Sequence, residues 1–238
     1  MKYRRLGRTD LTVSVVGFGA WQFGGEWGKD FRQTEVDTMF GRARDLGLTL
    51  IDTAECYGDH TSEAFIGGAI QGDRSRWVVA TKFGHKFHQP FERSDLRDAR
   101  DIRGQLDESL RALRTDYIDL YQYHSWKADE FFNDDVLAEL TNLQSEGKIR
   151  HVGNSISGKT DLQLDQVQAC SDRKVVSIQC IYNRLDQKPE LEIFPSCIEQ
   201  EVGVLARVPL ASGYLSGKYA PSHHFGDNDV RGKWHDPQ

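Results

Sequence analysis

Short apolar runs alternate with polar stretches of helical period along nearly the whole chain. Residues 48–51 form one such run, ending abruptly in Asp52 ahead of a loop that carries Tyr57 and Gly58. Residues 77–80 lead into Lys82, and residues 117–121 lead into His124. Continuous apolar runs of this length, set between helical patterns, are the mark of parallel strands covered on both faces.

Taken in order, the pattern predicts a β-hairpin over residues 3–14, a strand over 14–21 and a helix capped by Thr34 and stopped by Gly47. Strands follow at 48–52, 77–82, 117–124, 149–153, 175–180 and 202–208, and the segment 85–95 reads as a long polar loop. Between them, helices are expected near 62–71, across Ile102, Leu106, Ser109, Leu110 and Leu113, across Val136, Leu137, Leu140 and Leu143, near 160–171, and after Pro189 with Pro195 in the first turn.

Such alternation fits either a doubly wound open sheet or a closed (β/α)8 TIM barrel. Ionisable residues at the carboxyl ends of several strands favour the barrel, where those ends meet at one mouth, with the hairpin plugging the other end. One domain spanning residues 1–238 is expected, since no linker, repeat or low-complexity tract interrupts the pattern. After Val208, however, the chain is polar and glycine-rich, without an eighth strand-like run. The barrel is therefore expected to be incomplete at its C-terminal side, with strands one and seven as open edges and the chain a fragment of a longer one.

Charge and cysteines narrow the setting. A net charge of -6, with neither sign in long blocks, argues against nucleic acid or an anionic membrane as partner. Cys56, Cys170, Cys180 and Cys197 form no paired or metal-binding spacing, which suits a cytoplasmic location and no metal. No apolar run is long enough to span a membrane.

Asp52, Tyr57, Lys82 and His124 are the candidate catalytic group. A lysine ammonium beside a phenol favours its phenolate, and Asp52 would hold Lys82 in place. A phenol so softened, hydrogen-bonded to a histidine, can give a proton to a carbonyl oxygen while a cofactor brings hydride to the carbon. Singly, each has a plainer reading: Asp52 as a cap, Lys82 as a solvated strand end, His124 as a satisfied core histidine. Trp21 and Trp126, with Phe23, Trp27 and Phe83, would line an apolar pocket at the same mouth, or simply pack the core. The segment 17–24 fails the dinucleotide fingerprint because Gln22 stands where its third glycine should, and His85, His88, His223 and His224 lack metal-binding partners.

Seven stations in order, YRRLGRTDLTVSVVGFGAW, IDTAECYG, VVATKFG, YIDLYQYH, GKIRHVGNS, IQCIYN and LARVPLASGYLSGKY, resemble the aldo-keto reductase superfamily, especially its bacterial branch similar to potassium-channel β-subunits. The resemblance covers essentially the whole chain. It implies an NADPH-dependent barrel that reduces a small carbonyl substrate, with Tyr57 as general acid tuned or oriented by Asp52, Lys82 and His124. It also implies that Ser155 and Gln179 hold the nicotinamide carboxamide, that Arg207 takes the place of a stacking aromatic, and that Leu210, Ser212, Gly213 and Lys218 follow the pyrophosphate. Ile156 departs from the asparagine common after the matching serine. A non-catalytic or truncated barrel that binds a partner is the competing expectation, and the oligomeric state stays open.

Overall fold

The computed structural model describes residues 1–157, 163–220 and 222–233. Its main sheet has seven parallel strands, in chain order β3 (Phe18–Gly19), β4 (Leu50–Asp52), β5 (Val78–Phe83), β8 (Ile118–His124), β9 (Ile149–Ser155), β10 (Val175–Ile181) and β11 (Gly203–Arg207). Each strand pairs only with its sequential neighbours in that list, so the sheet curls as an incomplete (β/α)8 barrel with β3 and β11 at its two edges. No eighth parallel strand joins them among the described residues.

Helices cover the outer face: α1 (Gln33–Leu46), α2 (Thr61–Ile70), α3 (Ala99–Leu113), α4 (Ala128–Phe131), α5 (Asp134–Ser145), α6 (Leu164–Gln168) and α7 (Ile193–Glu199). Ile102, Leu106, Leu110 and Leu113 on α3, and Val136, Leu140 and Leu143 on α5, bury the stripe that their spacing requires. Thr34 does not cap α1. The cap position falls at Arg32, whose backbone N–H donates to the Glu35 carboxylate at 3.0 Å, while Gly47 ends the helix in the left-handed conformation as expected. The first sheet strand is much shorter than residues 14–21, because Val15 and Val16 are exposed and only Phe18 and Gly19 pair with β4.

β1 (Tyr3–Arg5) and β2 (Thr12–Ser14) form the N-terminal hairpin. Leu6, Leu11 and Val13 pack on Leu50, Ala80 and Leu120, which places the hairpin against the interior at the amino ends of the strands. A second hairpin, β6 (His85–Gln89) with β7 (Glu92–Asp95), replaces the loop expected at 85–95. Polar composition hid it, since both strands are largely exposed and have no apolar face to declare them. Part of the helix expected near 160–171 lies outside the described residues; α6 is what is seen of it.

Alternation along the strands decides what reaches the mouth. Leu50, Ala80 and Leu120 share one cluster inside the barrel, so Asp52, Lys82 and Gln122, two residues farther along, stand on the same inner face at its carboxyl end. Intervening residues such as Ile51, Val79, Phe83 and Tyr121 join the core beneath the helices.

Candidate active site

Lys82 is the hub of the mouth. Its ammonium, 1% exposed as a side chain, donates to Asp52 Oδ2 at 2.9 Å, to the Thr53 carbonyl at 2.6 Å and to the Tyr57 phenol oxygen at 3.3 Å. Asp52 accepts further bonds at Oδ1, from Gln179 Nε2 at 2.7 Å and Gln122 Nε2 at 3.2 Å. A buried ammonium persists only when paired and fully hydrogen-bonded, and this one is. Burial opposes its charge, but Asp52 and Tyr57 outweigh burial and raise the Lys82 pKa above the ordinary lysine range.

Tyr57 reaches this cluster through a tight backbone crossing. Gly58 adopts φ +67°, and an added Cβ there would stand 2.6 Å from the Gly24 carbonyl; a Cβ on Gly24 would in turn meet the Tyr57 backbone at 2.7 Å. Only two glycines allow the chains to pass so closely. Trp21 then lies over the phenol, with ring centres 5.9 Å apart and planes inclined by 24°.

Two features differ from the sequence expectation. Burial pushes the Tyr57 pKa up to about 12 despite the opposing effect of Lys82, so the phenol is not softened in this state. Nor is a histidine its hydrogen-bonding partner. His124 stands edge-on to Tyr57 at 6.0 Å between ring centres, and its Nδ1 faces Cys56 Sγ at 3.7 Å. Burial, then the neighbouring His85, Lys82, Arg93 and Arg207, drive the His124 pKa well below the usual imidazole range. The imidazole is therefore neutral.

Ser155 and Gln179 sit beside this group at the ends of β9 and β10, with Ser155 Oγ donating to Gln179 Oε1 at 3.3 Å. Arg207 ends β11 and donates to the Ile156 carbonyl at 3.1 Å, while its buried Nε has no partner among the described residues. Leu210, Ser212, Gly213 and Lys218 lie in the following loop, where Ala211, Ser212 and Gly213 take successive left-handed conformations. Within this turn the Ala211 and Gly213 N–H groups donate to the Val208 and Leu210 carbonyls at 3.0 and 2.9 Å.

Trp126 does not line the mouth. It is wholly buried against Phe83 and Tyr123, with Nε1 donating to the Phe83 carbonyl at 3.2 Å. Its volume is used between β8 and the helices, and Phe83 shares that core. Sequence reading missed Gln122, although its position two residues after Leu120 and two before His124 puts it on the inner face. It also missed Arg93, carried by the unexpected hairpin, which grips buried Glu26 through Nη2 at 2.7 and 2.6 Å while Trp21 Nε1 donates to the same carboxylate at 2.9 Å.

A family profile described as "Aldo/keto reductase family" matches residues 15–235. The NADH-specific methylglyoxal reductase of Escherichia coli is 34% identical over 233 residues, covering 91% of this chain and 70% of that protein. An aldo-keto reductase from Bacillus halodurans, in its holo form, superposes with a TM-score of 0.83 at 34% identity, covering 95% of this chain and 73% of that one. An aldo/keto reductase from Klebsiella pneumoniae, solved in complex with NADP and acetate, gives a TM-score of 0.70 at 28% identity, over 90% of this chain and 70% of that one.

Proposed function

The chain belongs to the aldo/keto reductase family, and from that premise we propose that it reduces an aldehyde or ketone to an alcohol using NADPH, with Tyr57 as the proton donor. The single observation that carries this reading is the ammonium of Lys82 held between Asp52 and the Tyr57 phenol oxygen. A phenol raised to about 12 keeps its proton until a substrate oxygen becomes more basic, which is what a general acid must do. As that oxygen gains charge, the Tyr57 proton moves to it and Lys82 stabilises the phenolate left behind. Neutral His124 can donate a hydrogen bond to the same oxygen and orient it without adding charge.

The residues present fit a nicotinamide dinucleotide. Gln179 has a second amide proton beyond the one given to Asp52, Ser155 has its hydroxyl at the same place, and the buried Nε of Arg207 has no partner among the described residues. Ser155 and Gln179 would hold the carboxamide, the planar guanidinium of Arg207 would lie against the ring, and the loop carrying Leu210, Ser212, Gly213 and Lys218 would receive the phosphates. Bound NADPH supplies the hydride. Trp21, stacked on Tyr57, forms one wall for a small carbonyl substrate.

Quenching of tryptophan fluorescence on titration with NADPH and NADH, followed by carbonyl-dependent loss of NADPH absorbance, tests the proposal. Tyr57→Phe should keep the quenching and lose turnover by about 10²-fold or more. Retained turnover in that variant would remove Tyr57 as the acid. The competing reading, a barrel that works by binding a partner, draws on the two sheet edges, which pair with no further strand among the described residues; a folded chain that quenches with neither dinucleotide would favour it.

A further inference from the structure

Beside the mouth, outside the Asp52, Tyr57 and Lys82 cluster, two buried side chains and a half-buried histidine converge on one point. Glu55, Cys56 and His124 each offer a ligand atom, and these atoms all lie within 4.8 Å of one another. Glu55 Oε1 accepts the His85 N–H at 3.0 Å, while its Oε2, also buried, has no partner among the described residues. A buried carboxyl oxygen without a hydrogen-bond partner is costly, so its place beside a thiol and an imidazole calls for an occupant.

We propose that Glu55, Cys56 and His124 bind a borderline-soft divalent cation of the zinc class, and that occupation draws His124 away from the substrate and inhibits the enzyme. Oxygen, sulfur and nitrogen are the donor set such an ion takes. Bonds of about 2.3 Å to sulfur and about 2.1 Å to nitrogen at a tetrahedral angle separate those atoms by about 3.6 Å. Cys56 Sγ and His124 Nδ1 are 3.7 Å apart. On binding, metal bonds form to Sγ, Nδ1 and a Glu55 oxygen, the protons of the Cys56 thiol and the Glu55 carboxyl leave to solvent, the imidazole proton sits on Nε2, and no redox change occurs. Arg93 Nη1, 3.4 Å from the sulfur, is the charge that opposes a cation here. Its guanidinium is already paired with Glu26, as Lys82 is with Asp52.

The inhibitory half rests on the reductase reading; the binding half does not, so cobalt(II) absorption comes first. Titration of the whole chain should give saturable one-to-one binding with tetrahedral visible bands and a thiolate-to-cobalt charge-transfer band, both displaced by zinc. Cys56→Ser should remove the charge-transfer band and weaken binding at least about tenfold. Glu55→Gln, nearly the same shape, should weaken binding while keeping the band, and it serves if the serine variant does not fold. No charge-transfer band in folded wild type, or unchanged binding in both variants, overturns the site. In NADPH-dependent turnover, zinc should inhibit wild type at least about tenfold more strongly than Cys56→Ser, and equal inhibition overturns the regulatory claim. A chain that binds cobalt but reduces nothing would sink the reductase reading and leave the cation site standing.

Discussion

Lys82 and Asp52 stand 2.9 Å apart at the carboxyl ends of adjacent strands β5 and β4, and the same ammonium reaches the Tyr57 oxygen at 3.3 Å. Thirty positions separate the pair in sequence, but parallel register brings Asp52 opposite Ala80 and hence beside Lys82. The pair therefore serves structure and chemistry together, and the two can be separated.

Lys82→Met removes one partner of a buried ion pair and leaves Asp52 with amides alone, which is expected to cost about 3–5 kcal/mol in stability as well as activity. Adding Asp52→Asn removes the stranded charge. Thermal melts should show the double variant recovering much of the lost stability, while assays show no recovery of carbonyl reduction. Restored turnover would mean that the charge beside Tyr57 is dispensable.

Because Tyr57 keeps its proton up to about 12, kcat/KM for reduction should show no loss attributable to this phenol between about pH 6 and 9. A basic limb in that range that disappears in Tyr57→Phe would contradict the assignment. pH profiles of both proteins, read from residual rates, make the comparison.

Glu55 supplies a separate pH signature. Burial first, and the charge of Glu63 second, raise its pKa from 4.5 to about 8. Since the folded protein holds this proton more tightly than the unfolded chain, the associated stability is complete below about pH 4.5 and is lost as pH climbs through about 8. Glu55→Gln cannot ionise. Its melting temperature should fall less than that of wild type between pH 5 and 9, with the curves separating on the alkaline side.

Gly84 has φ +119°, and a Cβ there would lie 2.1 Å from Trp126 Nε1. Gly84→Ala should therefore lower stability by about 1–3 kcal/mol through displacement of the buried indole. Chemical denaturation would show a lower midpoint with unchanged slope. An unchanged midpoint would mean that the indole has room to move.

Local signals suffice for part of this fold. Apolar runs capped by Asp52, Lys82 and His124 marked strands by composition, and helical spacing marked α3 and α5 by their buried stripes. Both depend only on which residues recur at which interval. The exposed strands β6 and β7 carry no such interval, and the Thr34 type does not identify the cap, since cap identity depends on which side chain actually reaches the free N–H.

The alternation of strands and helices, the family to which the chain belongs, and the ionisable residues at strand ends are legible in the order of residues. Their protonation states and partners depend on packing. Whether Tyr57 is softened or stiffened depends on how much water packing removes, and here burial outweighs Lys82. That Trp126 fills the core rather than the mouth, and that Cys56 and His124 face each other across 68 positions, follow from side-chain direction and chain crossing. Desolvation and long-range contact are properties of the packed molecule, with no counterpart in the order of residues.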